Sequence, residues 1–331
     1  MAEEHFKVLD GWRGISILTV LACHLLPLSP KAWHFNSAAG LLGMSLFFTL
    51  SGFLITHFLL HRPGVLDFLI RRLFRILPLA WLYIAVSLWL YSADVQVWLA
   101  HLLFYANYTP TLMIPKVTDH LWSLCVEMHF YVGVALLVSL FKQRGLLLLP
   151  VLLVAVTLFS IYSGVHASII THFRVGEILS GATLALIYEH RKLNVLADII
   201  GNLNPFLVAL LLLLSCHSAG GFLMYFRPYF AALLIGITLL GPAHGLNKLL
   251  EHRALAYIAA ISYALYVLHP LLASSFLGSG DTLQKYLKRP LLFVVLFALA
   301  HVSTFYYEKH WIALGKRLSL SCNRRLCLEP G

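Results

Sequence analysis

Apolar residues along this chain form long runs that short polar segments interrupt. A run of about 20 apolar residues crosses a hydrocarbon core of about 30 Å as a helix. Ten runs approach this length: 12–28, 40–61, 72–93, 120–141, 146–163, 172–190, 204–219, 224–242, 254–275 and 290–312. Segment 95–108 is apolar but short and is followed by prolines, so we interpret it as re-entrant or interfacial. The pattern predicts an all-α, polytopic membrane bundle of about ten transmembrane helices.

Composition agrees with this prediction. With 60% hydrophobic and 11% charged residues, the chain is too apolar for a soluble globular protein. Most of its 24 Lys and Arg residues fall on the side of the N-terminus when the ten spans alternate. Because cytoplasmic loops carry an excess of these residues, both termini are predicted to be cytoplasmic. The net charge of +10 then reflects topology and contact with the lipid bilayer, and no basic stripe with interleaved aromatics indicates nucleic acid.

Domain organisation is simple, because no repeat or low-complexity linker divides the sequence. We predict one membrane-embedded domain over 1–331, ending in a short basic cytoplasmic tail at 313–331. The first four residues are acidic where a signal peptide would be basic, so the first span is expected to remain as an anchor. Cys322 and Cys327 lie in the tail, but a lone Cys-x4-Cys is a weak pattern and no metal site is predicted.

The first span carries two polar side chains at bilayer depth, Arg13 and His24. Eleven residues at about 100° each return to within about 20° of the starting direction, so both share one face, about 16 Å apart along the axis. Such groups inside a membrane are costly and mark a function or a partner. A packed, hydrogen-bonded histidine is the alternative, and the alignment with Arg13 favours a polar path.

Three arginines, Arg71, Arg72 and Arg75, stand at the predicted cytoplasmic end of the third span. The guanidinium group is permanently charged, and its forked donors match phosphate oxygens. The cluster is therefore suited to a phosphorylated cytoplasmic ligand. Positive-inside anchoring explains it equally well, and the residues alone leave both interpretations open.

The fourth span opens with Trp122 and Ser123 and places Glu127 about 9 Å below the predicted outer surface, near the predicted depth of His24. A carboxylate there can orient an imidazole or raise its basicity. The alternative is a structural buried pair with Arg174.

Two later spans carry polar side chains at helical spacing. Arg174 and Glu177 form a potential i,i+3 pair, and Ser262, Tyr266 and His269 share one helix face. Interhelical hydrogen bonds within a bundle are the alternative to a functional role.

Taken in order, these motifs resemble the membrane-bound acyltransferase family 3, which includes bacterial O-acetyltransferases of cell-surface and secreted saccharides. The resemblance covers nearly the whole chain. It rests on Leu9-Asp10-Gly11-Trp12-Arg13-Gly14 with His24, Phe47-Phe48-Thr49-Leu50-Ser51-Gly52, Arg72-Leu73-Phe74-Arg75, Trp122-Ser123-Leu124 with Glu127, Arg174 with Glu177, and Ser262-Tyr263 with His269.

The resemblance implies an O-acyltransferase of the bacterial inner membrane that uses acetyl-CoA as co-substrate and holds no permanent cofactor. His24, Glu127 and Arg13 are the implied catalytic residues, and His24 acts as general base or transient acyl carrier. Arg71, Arg72 and Arg75 are the implied donor-binding residues. Acceptor-side or supporting roles fall to Asp10, Trp122, Ser123, Arg174, Glu177, Ser262, Tyr266 and His269. The expected acceptor is a saccharide or lipid-linked glycan, and a homo-oligomer is left open.

A proton-coupled transporter or flippase of a saccharide or lipid-linked substrate is the alternative function. Intramembrane Arg, Glu and His residues also suit such a carrier. No inverted repeat is evident in the sequence, which counts against this alternative.

Overall fold

Helices account for all regular secondary structure in the part of the chain that the computed structural model describes, residues 5–28, 30–62, 64–193, 195–241 and 245–326. They are α1 (Lys7–Leu25), α2 (Phe35–His61), α3 (Val65–Leu90), α4 (Val95–Leu102), α5 (Trp122–Phe141), α6 (Leu149–Tyr162), α7 (Thr171–Arg174), α8 (Gly176–Glu189), α9 (Val195–Gly201), α10 (Pro205–Cys216), α11 (Arg227–Leu240), α12 (Gly245–Leu250), α13 (Arg253–Ser274), α14 (Thr282–Leu287), α15 (Arg289–Val302) and α16 (Lys309–Leu326). The all-α prediction is confirmed for these residues.

Seven helical segments among the described residues are long and apolar enough to cross a membrane, or eight if the bent pair of α9 and α10 is one span. Helix α8 has 14 residues and α10 has 12. They rise about 21 Å and about 18 Å, less than a hydrocarbon core of about 30 Å. The structure therefore supports a multi-pass membrane protein. The count of about ten spans and the cytoplasmic termini stay predictions.

Helix α3 begins at Val65, whereas the predicted span begins at residue 72. The predicted span excludes the charged residues Asp67 and Arg71. In the structure these charges are paired, because Arg71 Nε donates to Asp67 Oδ1 at 2.6 Å. Ser319 of α16 also donates to this carboxylate. A carboxylate with such partners can be covered by protein. The three arginines thus lie inside α3, and their position at the cytoplasmic end of the span stays a prediction.

The last predicted span, 290–312, is part of a longer helical segment. Helix α15 continues through a π-helical turn, Ser303–Glu308, into α16. Ser303 and Thr304 donate to Glu308 Oε1 at 2.9 and 3.3 Å, which satisfies this buried carboxylate. The predicted tail is therefore helical to Leu326. Cys327 and the Cys322 side chain lie outside the described residues, so their pattern stays a prediction.

The chain packs as two units. The first comprises Met1–His57, Arg144–Ser168 and His172–Ser262, and the second comprises Phe58–Gln143, Ile169–Thr171 and Tyr263–Gly331. The prediction of a single domain over 1–331 stays a prediction.

Helix α1 is held in the first unit by its apolar face. Trp12 lies in a core with Phe53, Tyr188 and Leu234, and its indole Nε1 donates to Thr238 Oγ1 of α11 at 3.0 Å. Burying an aromatic side chain with its polar atom satisfied is strongly stabilising. These contacts fix the rotation of the helix that carries Arg13 and His24.

The second unit is organised by α3, which packs along α16. The Phe68 ring on α3 meets the Tyr131 ring of α5 edge-on, with centroids 5.6 Å apart. Further along α3, Tyr83 donates to the Val117 carbonyl oxygen at 2.7 Å. Helix α3, which carries the arginines, is therefore supported on two sides.

The segment predicted to be re-entrant or interfacial contains α4, which has only eight residues. The carbonyl oxygen of Val97 lies 2.8 Å from His101 Nδ1, and Thr118 Oγ1 lies 2.9 Å from Nε2. Because a carbonyl only accepts, Nδ1 carries the proton and the Thr118 hydroxyl donates to Nε2. Burial lowers the pKa of His101, which agrees with a neutral ring. This histidine ties α4 to the turn before α5.

Helices α2 and α8 of the first unit touch where each has a glycine. A Cβ on Gly52 would overlap the Ile178 carbonyl oxygen, and a Cβ on Gly181 would overlap the Thr49 carbonyl oxygen. Small residues let membrane helices approach until their backbones meet. The crossing positions the start of α8, which carries Glu177.

Replacement of Gly181 by alanine is expected to destabilise the protein by about 3 kcal/mol, because overpacking forces backbone shifts. The measurement is the thermal unfolding midpoint of the purified protein in detergent. Gly133→Ala is the matched control, because nothing lies within 4 Å of a Cβ at that position. There alanine should stabilise the helix by about 0.5–1 kcal/mol. An unchanged midpoint for Gly181→Ala would contradict the close crossing.

Candidate active-site residues

Helix α1 presents His24 close to its C-terminal end, where the imidazole is exposed. Arg13 lies about 16 Å before it along the axis and is half-buried, with NH1 3.9 Å from Asp10 Oδ1. The Asp10 carboxylate is also 2.8 Å from His5 Nε2. The structure thus places an accessible titratable group at one end of α1 and a small charged network at the other.

The three arginines of α3 differ in their surroundings. Arg71 is engaged by Asp67, as described above. Arg72 is half-buried and Arg75 is exposed. An arginine already paired with a buried carboxylate contributes less to a new anion than an accessible one. Arg72 and Arg75 are therefore the guanidinium groups that a ligand can reach.

Glu127 belongs to the same charged neighbourhood as these arginines. Its carboxylate is buried and accepts a hydrogen bond from Tyr131 at 2.6 Å. The charges of Arg72, Glu127 and Glu308 all act on the Arg75 guanidinium, whose side chain nevertheless stays exposed. The sequence predicts Glu127 near one membrane surface and the arginines near the other. Arg75 is ten residues into α3, about 15 Å from its start, and at this position the charge of Glu127 acts on it.

A cluster of rings lies beside the start of α5 in the second unit. The His120 ring has centroid distances of 5.3 Å to Tyr83, 5.4 Å to Tyr266 and 5.6 Å to His269. The Tyr266 hydroxyl is 2.6 Å from Ser123 Oγ. The sequence motifs indicate Ser123, Tyr266 and His269 but not His120. Its position two residues before Trp122 was the available signal.

The proton of His269 can be assigned from its contacts. Nδ1 lies 2.8 Å from the Tyr266 carbonyl oxygen, and because a carbonyl only accepts, Nδ1 carries a proton and donates. Ser262, on the same helix, donates to the Ala259 carbonyl oxygen at 2.8 Å. The hydroxyl of Ser262 is thus occupied by its own backbone, and Tyr266 and His269 carry the polar face of α13.

The predicted pair of Arg174 and Glu177 is confirmed, with NH1 3.2 Å from Oε1. The same oxygen lies 3.3 Å from Arg227 Nε and 3.3 Å from Ser45 Oγ. The Arg174 guanidinium also lies over the Phe48 ring at 5.8 Å. This buried network is larger than the sequence indicated, because Arg227 lies 50 residues from Glu177 along the chain.

Charged and titratable side chains held inside long apolar helices define a multi-pass membrane protein equipped for polar chemistry. The acyltransferase domain of acyltransferase family 3 matches residues 6–309. The match spans most of the chain, so the chain belongs to this family, and the resemblance inferred from the motifs is confirmed.

Curated relatives agree with this assignment. The chain is 29% identical to "Putative peptidoglycan O-acetyltransferase YrhL" of Bacillus subtilis (strain 168), over 79% of this chain and 47% of that protein. It is 28% identical to "Putative O-acetyltransferase SACOL0978" of Staphylococcus aureus (strain COL), over 79% and 49%. It is 27% identical to "Peptidoglycan O-acetyltransferase OatA" of Listeria monocytogenes, over 81% and 49%. The chain spans about half the length of these relatives. No solved structure matches.

Proposed function

We propose that this protein is an O-acetyltransferase of the bacterial inner membrane. It moves an acetyl group from cytoplasmic acetyl-CoA to a hydroxyl of a saccharide or lipid-linked glycan on the outer side. Family membership and the names of the relatives support the reaction type. The observation that carries the proposal for this chain is Arg75, an accessible guanidinium inside an apolar helix with Arg72 beside it.

Donor binding is assigned to Arg72 and Arg75. Coenzyme A carries a diphosphate and a 3′-phosphate, and guanidinium groups bind such oxygens through charge-assisted hydrogen bonds. Arg71 is assigned a structural role, because Asp67 already pairs with it at 2.6 Å. Glu127, held by Tyr131, balances the arginine charges while the donor is absent. Its predicted role in orienting His24 stays a prediction.

His24 is assigned the chemical step. Its imidazole removes the proton from the acceptor hydroxyl as the hydroxyl oxygen attacks the thioester carbonyl carbon. The C–S bond then breaks, the acetyl group becomes an ester of the acceptor, and the coenzyme A thiolate takes the proton from the imidazolium. In the second form of this proposal, an imidazole nitrogen attacks the thioester carbonyl and releases the coenzyme A thiolate; the acceptor hydroxyl then takes the acetyl group from the ring, and its proton goes to the thiolate. The exposure of the side chain supports either form.

Acetyl transfer by the purified chain tests this function. The protein is reconstituted in nanodiscs with acetyl-labelled acetyl-CoA and a chitin oligosaccharide as the acceptor probe. We expect the label in the oligosaccharide as an alkali-labile ester, with one free thiol released for each ester formed. Exchange between acetyl-CoA and labelled coenzyme A without acceptor would identify the acyl-enzyme form. A chain that moves the oligosaccharide across liposomes and forms neither ester nor free thiol would favour the transporter instead.

A further inference from the structure

Arg289, the first residue of α15, is a buried arginine without a counter-charge. Only 5% of its surface is exposed. No hydrogen bond or ion pair joins its guanidinium to the described residues. Its Nε and NH1 are sealed from solvent without an acceptor, whereas NH2 is not sealed. Because buried charges in proteins are normally paired, this group is suited to an acceptor from outside the chain.

Lys285 lies close to Arg289 and to a third cation, Lys116. Lys285 is one helical turn earlier and half-buried, and Lys116 approaches from the segment before α5. Burial lowers the pKa of Lys285, and the charges of Arg289 and Lys116 lower it further. Like charges held together repel one another, so the arrangement favours an anion among them.

The acidic residues nearest in sequence do not neutralise these cations. Asp119 accepts from the backbone amides of Lys116 and His120, both at 2.9 Å. Asp281 caps α14 by accepting from the Gln284 amide at 2.8 Å. Among the described residues, no carboxylate forms an ion pair with Lys116, Lys285 or Arg289. Both carboxylates thus serve the backbone.

Lys288, in the same turn, is a cation whose hydrogen-bond donors are already used within the chain. Its Nζ donates to the Phe276 and Ser279 carbonyl oxygens at 3.2 and 3.4 Å. It also lies 3.6 Å from the centroid of the Phe276 ring. Lys288 closes the loop before α14. Lys285 and Arg289 have no hydrogen-bond acceptor among the described residues, and the Arg289 guanidinium lies over the Tyr286 ring at 5.8 Å.

The cation group is anchored to the segments that hold the ring cluster. Ser274, at the end of α13, donates to the Lys116 carbonyl oxygen at 3.1 Å. Helix α13 carries His269 five residues before Ser274, and Lys116 precedes His120 by four residues. Lys116 and the two histidines therefore lie on two segments that this hydrogen bond joins.

We infer that Arg289, Lys285 and Lys116 form an oxyanion site for a phosphate or carboxylate group of the acceptor glycan. The inference rests on the proposed function, because the three residues lie on the face predicted to be outside, where the acceptor is expected. It narrows the acceptor to an acidic saccharide or a phosphate-linked glycan. NH2 of Arg289 and Nζ of Lys285 supply the donors.

Binding of small matched sugars tests the site directly. Glucose 1-phosphate, glucuronic acid and glucose are titrated into the purified full chain in nanodiscs of zwitterionic lipid at constant ionic strength. We expect at least one charged sugar to bind ten times more tightly than glucose or better. The comparison of the two charged sugars shows which oxyanion the site prefers. Equal affinity for all three sugars would overturn the inference.

Charge-removing variants locate the site. Arg289→Gln and Lys285→Gln are each expected to weaken the preferred sugar at least tenfold. Lys31→Gln, an exposed lysine predicted on the same face, should leave binding within twofold. Weaker sugar binding by Lys31→Gln would overturn the assignment. Unchanged sugar binding by both Arg289→Gln and Lys285→Gln would also overturn it. Arg289→Gln removes a buried unpaired charge and is expected to fold at least as well as the wild type. If Arg289→Gln does not fold, Lys285→Gln still tests the site, because Lys285 is only half-buried.

Nanodiscs with anionic lipid distinguish a lipid headgroup from a glycan as the source of the anion. The acetyl-transfer assay distinguishes failure of the anion site from failure of the proposed function. If nanodiscs with anionic lipid abolish sugar binding, the site holds a lipid headgroup and the acceptor assignment fails. If the wild type transfers acetyl groups but binds charged and neutral sugars alike, only the oxyanion site fails. If it binds the charged sugar and transfers nothing, the proposed acetyltransferase fails while the anion site stands.

Discussion

Replacement of His24 by alanine is expected to lower the rate of acetyl transfer about 100-fold to 10,000-fold, which is the usual contribution of a general base. The exposed imidazole at the end of α1 supplies the proton acceptor for the hydroxyl, and alanine cannot replace it. Donor binding should stay within about twofold, because the arginines of α3 are untouched. The measurement is the single-turnover rate of ester formation at saturating acetyl-CoA.

The controls for His24 address folding and charge. His24→Gln keeps a polar side chain of similar size but is a poor base, so it should be as slow as His24→Ala. His310→Ala removes another exposed histidine that lies just beyond the family match and should retain full activity. Both variants must insert and elute like the wild type. Full acetyl transfer by a correctly inserted His24→Gln protein would exclude the proposed role.

The same pair of variants separates the two forms of the mechanism. In the acyl-carrier form, labelled acetyl groups accumulate on the wild-type chain when acceptor is withheld, and both His24 variants stay unlabelled. In the general-base form, no protein label appears although the wild type is active. Exchange between acetyl-CoA and labelled coenzyme A in the absence of acceptor is likewise expected only in the acyl-carrier form.

Local patterns in the sequence predicted the parts of the structure that depend on near neighbours. The pair of Arg174 and Glu177 was predictable because residues three apart on a helix face one another. The third member, Arg227, is 50 residues further along the chain from Glu177. Only tertiary packing brings Arg227 to the Glu177 carboxylate, so the local sequence pattern does not reveal this pair. The same limit hid His120, whose partner His269 lies on α13.

The predicted span boundaries differ from the helix boundaries where buried charges are paired. Arg71 neutralises Asp67 and Ser319 donates a hydrogen bond to it, which allows α3 to start at Val65. A hydropathy scan counts Asp67 and Arg71 as polar and therefore starts the span too late. Glu308, satisfied by two hydroxyl groups, likewise lies within a continuous helical segment. Arg75 lies ten residues into this longer helix, where the charge of Glu127 acts on it.

Removal of both accessible arginines is the second change with a large expected effect. The double variant Arg72→Gln, Arg75→Gln should weaken acetyl-CoA binding at least about 100-fold, since each hydrogen bond to a charged group contributes about 1.5–3 kcal/mol. Arg71→Gln should weaken it far less and should lower the unfolding midpoint, because Arg71 is paired with Asp67. Equilibrium binding of the donor to the purified protein measures the first effect.

A comparison with dephospho-coenzyme A turns this prediction into an assignment. If one arginine binds the 3′-phosphate, its replacement should weaken acetyl-CoA but hardly affect the acetyl derivative of the truncated donor, as in a double-mutant cycle. An arginine that binds the diphosphate weakens both donors equally. Arg144→Gln, an exposed arginine predicted on the cytoplasmic face, should change neither. Unchanged affinity for acetyl-CoA in the double variant would mean that Arg72 and Arg75 do not bind the donor phosphates. The exposed guanidinium inside α3 would then serve only the charge balance around Glu127.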